Sequence, residues 1–145
     1  MLNEFSPSPH APVLVIGAAG LDIIGRLRGD LRTGTSNPAQ IRSSFGGVAR
    51  NVAENLARLG QAARLLTVVG CDASGDRLLQ EAEAAGVDIS AVQRSDEYAT
   101  GTYLAVVNQA GELQTALDDM SITNLISPEY IRSHQGLFDD ASAVF

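Results

Sequence analysis

Residues 13–19, with the sequence VLVIGAA, are the feature that most limits how this chain can fold. An unbroken apolar run that ends in small residues predicts a strand buried on both faces, as in a parallel sheet covered by helices. Asp22 follows soon after this strand. Ligands of open α/β sheets bind outside the carboxyl ends of strands, where a carboxylate can accept hydrogen bonds from neighbouring hydroxyls. We therefore predict an α/β fold with Asp22 at a ligand site; the alternative for Asp22 is a turn or helix-cap role.

A glycine pair and the start of a helix lie together in residues 46–60, GGVARNVAENLARLG. An apolar stripe at helical spacing predicts a helix over 47–59 that ends at Gly60. Glycine lets the backbone approach a ligand closely, and the free N–H groups of a helix start favour oxygen-rich groups. The pattern therefore predicts that Gly46, Gly47 and Asn51 hold a small polyhydroxy molecule. The alternative is a loop before an ordinary core helix.

Strands and helices alternate along the rest of the chain, which predicts a layered α/β core. This core comprises strand 13–19, helix 47–59, strand 65–69, helix 75–85 and strand 141–145. Residues 103–108 and 112–117 form a predicted hairpin that turns at Gly111, and Ser127 and Pro128 begin a predicted short helix over 127–133. Segments 26–45 and 87–94, with parts of the hairpin, are expected to form a smaller β-sheet.

Three segments resemble the N-terminal half of ribokinase-like kinases of the PfkB family, which act on sugars and nucleosides. They are GAAGLDIIG at 17–25, GGVARNVAENLARLG at 46–60 and LLTVVGCDASGDRLLQEAEAAGVDIS at 65–90. The resemblance implies a layered α/β core with a small β-sheet that is a lid over the substrate and often a homodimer contact. It also implies a flexible tail over 1–12 and one kinase-domain segment over 13–145, with lid segments at about 26–45 and 87–117.

The same resemblance implies ATP-dependent phosphorylation of a sugar or nucleoside hydroxyl. Stretches 36–57 and 118–131 are similar to the branch of the family that phosphorylates pseudouridine to its 5′-phosphate. By resemblance, the substrate-binding residues each have a role: Asp22 holds sugar hydroxyls, Gly46 and Gly47 present backbone, Asn51 bonds a hydroxyl, and Arg50 shapes the pocket.

The chain departs from the family pattern in two places. Many relatives carry asparagine where this chain has Gly20, which leaves the exact substrate open. No GAGD-type motif, whose aspartate supplies the family's catalytic base, occurs in the sequence, and Asp76 is expected instead to be an acid in the first turn of a helix. The chain therefore resembles the substrate-binding and lid half, with the base and most contacts to ATP and Mg²⁺ belonging to the other half of the complete enzyme. The alternative is a non-catalytic nucleoside- or sugar-binding module, or a truncated inactive product.

Several other residues are weaker candidates for a functional site. Thr100 and Thr102 are expected to be ordinary strand residues, because threonine suits strands. Of Asp118 and Asp119, at most one can face a pocket, since adjacent strand residues point to opposite sides. Residues 13–25 could alternatively form a dinucleotide-binding loop, which requires a helix that begins at Gly20.

Composition limits the partners. The net charge is −7 with no basic cluster, which disfavours nucleic acid and anionic membranes. Cys71 is the only cysteine and the two histidines lie far apart in sequence, so neither an internal disulfide nor a metal site is predicted. The first 12 residues lack the pattern of a secretory signal, and no apolar run has membrane-spanning length. We expect a cytoplasmic protein.

Overall fold

The core of the molecule is a parallel three-stranded sheet, seen in a computed structural model that describes residues 11–145. Its strands stand in the order β4-β1-β9, where β1 is Val13–Ile16, β4 is Ala63–Leu66 and β9 is Ala143–Val144. The predicted strand at 13–19 ends early because Gly17 has a φ of 141° and turns the chain out of this sheet. The predicted tail over 1–12 lies outside the described residues except for positions 11 and 12.

Helices cover both faces of the core sheet. Helices α1 (Val48–Arg58) and α2 (Ala73–Ala84) pack on one face around Val15, Leu65 and Ala82. Leu14 and Leu66 point to the opposite face and pack against Tyr130. That side is covered by a 3₁₀ helix over Ser121–Leu125, by α3 (Pro128–Ser133) and by α4 (Gly136–Asp139). The predicted α/β core is therefore confirmed, as is the Ser127 cap of α3, whose hydroxyl accepts the Tyr130 N–H.

The predicted strand at 65–69 is divided at Thr67. Beyond β4, the chain forms β5 (Val68–Gly70), which pairs in parallel with β6 (Gln93–Ser95). The Tyr130 hydroxyl lies within hydrogen-bond distance of two carbonyls, that of Thr67 between β4 and β5 and that of Ala91 before β6, at 3.1 and 3.0 Å. Our assignment of residues 87–94 to the smaller sheet was wrong, because β6 and the Arg64–Asp88 bridge bind this segment to the core.

A second sheet has four strands in the order β3-β2-β7-β8. These are β2 (Gly20–Leu27), β3 (Ala39–Gly46), β7 (Thr102–Val107) and β8 (Leu113–Asp119). Strands β2 and β7 are parallel, whereas each outer strand is antiparallel to its neighbour. The predicted hairpin is confirmed as β7 and β8. The dinucleotide-loop alternative is wrong, since Gly20 begins a strand and not a helix.

Within residues 11–145, none of the helices has both the length and the apolar character needed to cross a membrane.

Candidate functional site

Asp22 is the third residue of β2, and the structure places its carboxylate over Gly46 at the end of β3. A Cβ at position 46 would collide with this carboxylate. Partial burial removes water from Asp22 and raises its pKa above the ordinary value. No group within residues 11–145 donates a hydrogen bond to the carboxylate. Asp22 is thus a strand residue rather than a turn or cap, and its oxygens remain available as acceptors.

Gly47 has a different structural reason to be glycine. Its φ is 93°, and a Cβ there would lie 2.5 Å from Cα of Ala19 and would also overlap the carbonyl of Ala18. The same Ala18 carbonyl accepts the Arg50 N–H at 3.4 Å, so the turn after β1 rests on the start of α1. This packing accounts for Gly47 without a ligand. Contact of the 46–47 backbone with a substrate remains a prediction.

Asn51 lies one turn into α1, and its side chain is exposed. Its Oδ1 accepts a hydrogen bond from Nη1 of Arg50 at 3.3 Å. The amide nitrogen donates to no group in the described part of the chain. Asn51 can therefore donate to a ligand, which complements the acceptor oxygens of Asp22.

Arg50 is 8 % exposed, and its guanidinium contacts protein groups rather than open solvent. Nη1 also donates to the carbonyl of Phe45 at 2.9 Å, and Nη2 lies 2.5 Å from Oε2 of Glu54. Nη2 is 4.0 Å from Glu81 of α2, beside a 510 Å³ cavity between β3, α1 and α2. Of the predicted site residues, only Arg50 lines this cavity. Paired in this way, Arg50 is not a free ligand-binding cation, and its shaping of a substrate pocket stays a prediction.

Gly20 and Gly101 bring the first residues of β2 and the approach to β7 into close contact. A Cβ on Gly20 would lie 2.5 Å from the Gly101 carbonyl oxygen, which accepts the Leu21 N–H at 2.8 Å. A side chain at position 20 would therefore force the two strands apart. This contact gives a structural reason for glycine at position 20 of this chain.

Asp72 and Thr100 join α2 to the start of β7, a connection that was not predicted from the sequence. Asp72 caps α2 by accepting the Gly75 N–H at 2.8 Å, and it accepts both the N–H and the hydroxyl of Thr100, at 2.7 and 2.8 Å. Desolvation would raise the pKa of Asp72, but hydrogen bonds from Thr100, Gly75 and Ser74 outweigh it and hold that pKa below its ordinary value. An aspartate directly before the first helical residue was the available signal.

The structure places the other acidic candidates, Asp76, Asp118 and Asp119, in different surroundings. Asp76 lies in the first turn of α2 and pairs with Arg94 at 2.7 Å, as expected of a helix acid. Asp119 accepts the Ser121 hydroxyl at 2.6 Å. Asp118 is directly opposite Tyr103, which is in turn opposite Asp22, so Asp118 shares the sheet face of Asp22 and Asp119 does not.

Comparison with known proteins identifies the family of the chain. Residues 11–144 match the family model described as pfkB family carbohydrate kinase. Pseudouridine kinase of Escherichia coli (strain K12) is 36 % identical over 132 residues, which are 91 % of this chain and 42 % of that protein. A guanosine-inosine kinase of Exiguobacterium acetylicum is 32 % identical over 132 residues, which are 91 % of this chain and 44 % of that protein.

Solved structures give the same result for the fold. A putative sugar kinase from Clostridium perfringens has a TM-score of 0.83 at 29 % identity, over 94 % of this chain and 43 % of that one. A ribokinase from Giardia lamblia has a TM-score of 0.83 at 20 % identity, over 92 % of this chain and 44 % of that one. This chain therefore spans less than half the length of these relatives. With residues 11–144 matched by the family model and the ribokinase-like fold present, the chain belongs to the pfkB family of carbohydrate kinases.

Proposed function

We propose that this chain is the substrate-binding and lid segment of an ATP-dependent kinase that phosphorylates a hydroxyl of a sugar or nucleoside. The favoured reaction is conversion of pseudouridine to pseudouridine 5′-phosphate. One observation carries the proposal: the Asp22 carboxylate is partly desolvated, is held over Gly46, and has no donor among residues 11–145. The similarity to a pseudouridine kinase supports the choice of nucleoside.

The proposed roles follow from hydrogen-bonding chemistry. Asp22 accepts hydrogen bonds from two neighbouring hydroxyls of the sugar, which an ionised carboxylate can do with its two oxygens. The Asn51 amide nitrogen donates to a substrate oxygen, while the backbone of Gly46 and Gly47 lies beside the ring. The four-stranded sheet acts as the lid that excludes water during phosphoryl transfer.

We assign to residues 11–145 only the binding of the substrate. Within these residues there is no group of three His, Cys, Asp or Glu side chains that could hold a metal ion. We also assign no catalytic base to this chain, in which no GAGD-type motif occurs. We expect the purified chain to transfer no phosphate from ATP to any nucleoside, and turnover in a coupled ADP-release assay would refute that expectation.

The test of the proposal is direct binding to the purified chain. Titration with pseudouridine, followed by ¹H–¹⁵N correlation spectra, is expected to shift the backbone signals of Asp22, Gly46, Gly47 and Asn51. Asp22→Asn should weaken the affinity about tenfold or more, because hydrogen bonds to a charged acceptor are replaced by weaker ones. Asp30→Asn, the same change in the exposed turn after β2, is the matched control. Equal affinity of Asp22→Asn and the unaltered chain would contradict the proposal.

We further propose that two copies of the chain associate through the four-stranded sheet. The face opposite Asp22 carries Ile23, Ile41, Leu104, Val106 and Leu117, of which Ile41 is 70 % and Leu117 is 69 % exposed. Such a continuous apolar face needs a cover in water.

We place the protein in the reducing cytoplasm, where the exposed thiol of Cys71 remains free.

A further inference from the structure

Four side chains form a row across the face of the four-stranded sheet that carries Asp22. Strand pairing places Ser44 and Tyr103 directly beside Asp22, on β3 and β7, and places Asp118 of β8 beside Tyr103. Residues directly opposite each other on paired strands project from the same face. Because neighbouring strands are about 4.8 Å apart, Asp118 stands roughly 10 Å from Asp22, with Tyr103 between them. The row continues beyond the carboxylate assigned to the sugar.

Tyr103 has the properties of a surface for a flat ring. It is half-buried, and its hydroxyl makes no hydrogen bond to any group in the part of the chain that the structure describes. Two residues before it in the chain, Gly101 leaves room for the Met120 sulfur, which a Cβ at position 101 would meet at 2.7 Å. The aromatic ring of Tyr103 offers a surface on which the π-face of a nucleobase stacks favourably.

Asp118 supplies the acceptor at the far end of the row. Its carboxylate is exposed and has no ion pair or hydrogen bond within residues 11–145. A base stacked on Tyr103 would present its edge toward β8, where a carboxylate accepts an N–H group. Pseudouridine carries N–H groups at both N1 and N3 of its ring, whereas uridine carries one at N3 alone.

We propose that Tyr103 and Asp118 form a nucleobase subsite, which makes the substrate class a nucleoside with an N–H-bearing base edge rather than a free sugar. This inference rests on the proposed function, because it takes Asp22 as the site of the ribose. Tyr103 determines specificity by stacking on the base, and Asp118 by accepting a hydrogen bond from its edge.

The experiment compares ribose, uridine and pseudouridine as ligands of the purified chain, by the same spectroscopic titration. Tyr103→Leu removes the aromatic face. It is expected to lower the affinity for pseudouridine and uridine about tenfold, while the affinity for ribose changes by less than about twofold. Tyr103→Phe keeps the ring and is the matched control, expected to retain all three affinities within about twofold.

Asp118 is tested with its neighbour as the control. Asp118→Asn should lower the affinity for pseudouridine by at least about fivefold and the affinity for ribose by less than about twofold, since only the base reaches this position. Asp119→Asn, whose side chain points to the other face and bonds Ser121, should leave the three affinities unchanged.

The outcomes separate this inference from the proposed function. If no ligand binds, both are refuted. If ribose binds and depends on Asp22, but nucleosides bind no more tightly than ribose, only the base subsite is refuted. An equal loss of ribose and nucleoside affinity in Tyr103→Leu would likewise overturn it, and so would a tenfold loss of nucleoside affinity in Tyr103→Phe.

Discussion

Gly46 and Gly47 are adjacent, yet they are constrained by different neighbours. Gly46 has ordinary backbone angles and makes room for the Asp22 carboxylate, whereas Gly47 has a φ of 93° and lies against the backbone of Ala18 and Ala19. A side chain on Gly46 would meet the Asp22 carboxylate. A side chain on Gly47 meets rigid backbone and also strains its own conformation.

Alanine substitution should separate these two constraints. Gly47→Ala is expected to lower the free energy of unfolding by about 1–3 kcal/mol, because a non-glycine residue would be held at positive φ. Gly46→Ala should chiefly displace Asp22 and so weaken ligand affinity. Urea unfolding and the ligand titration measure the two effects. Gly29→Ala is the control, since a Cβ there meets nothing within 4 Å, and its effect should stay within about 0.5 kcal/mol.

Motif and spacing predicted that Asp22 and Gly46 lie together, and the structure places the Asp22 carboxylate against Gly46. Their contact with a substrate stays a prediction. The burial of Arg50 could not be read from its own segment, because it depends on Glu81 from the next helix and on the carbonyl of Phe45. The position of Tyr103 beside Asp22 was not predicted, because strand register alone creates it.

At the scale of elements, the start of α2 is tied to the start of β7 through Asp72. The pKa of Asp72 is lower in the folded chain than its ordinary value of 3.8, so its ionised form stabilises the fold. This stabilisation is fully present above the unfolded value, near pH 4, and is lost as the pH falls through the lower folded value. The ionised Asp72 carboxylate thus connects the start of α2 to the start of β7, and acid weakens this connection.

Asp72→Asn tests this link. We expect a loss of about 1 kcal/mol in the free energy of unfolding at pH 7, because the charge-assisted bonds from Thr100 and Gly75 become weaker. The difference between the two proteins should shrink below pH 4, where the native carboxylate becomes protonated. Chemical denaturation at pH 7 and at pH 3 measures it. A difference that stays constant or grows in acid would contradict the assignment.

Element boundaries followed the sequence wherever a local signal fixed them. Gly111, at a φ of 91°, turns the β7–β8 hairpin, and Ser127 caps α3, and both were predicted. Strand β2 was not predicted, because Ile24 interrupts its polar face and Gly25 lies in its interior. Segment 87–94 was assigned to the wrong sheet, because its partners, Arg64 and β5, are distant in sequence and no local signal names them.

For the whole molecule, the proposed homodimer is the testable consequence of the apolar sheet face. We expect the chain to sediment as a dimer at micromolar concentrations, and Ile41→Lys with Leu117→Lys to make it a monomer, because two buried charges would replace apolar contacts. Leu59→Lys is the matched control, since Leu59 is 84 % exposed at the end of α1, outside the sheet. A monomeric unaltered chain in sedimentation velocity would count against the dimer.

The β2–β3 and β7–β8 connections lie at the end of the four-stranded sheet that is farther from Asp22. There the Gln109 side chain donates to the Arg28 carbonyl at 2.8 Å. From Asp22 to the end of β2 at Leu27 is about 17 Å of extended chain. The loop beyond it includes Gly34, around which a Cβ meets nothing within 4 Å. This distal bend is consequently a place to attach a fluorescent reporter, since lengthening an exposed connection by a few residues barely alters its closure entropy. A label attached there would leave the side chains of Asp22 and Asn51 unaltered.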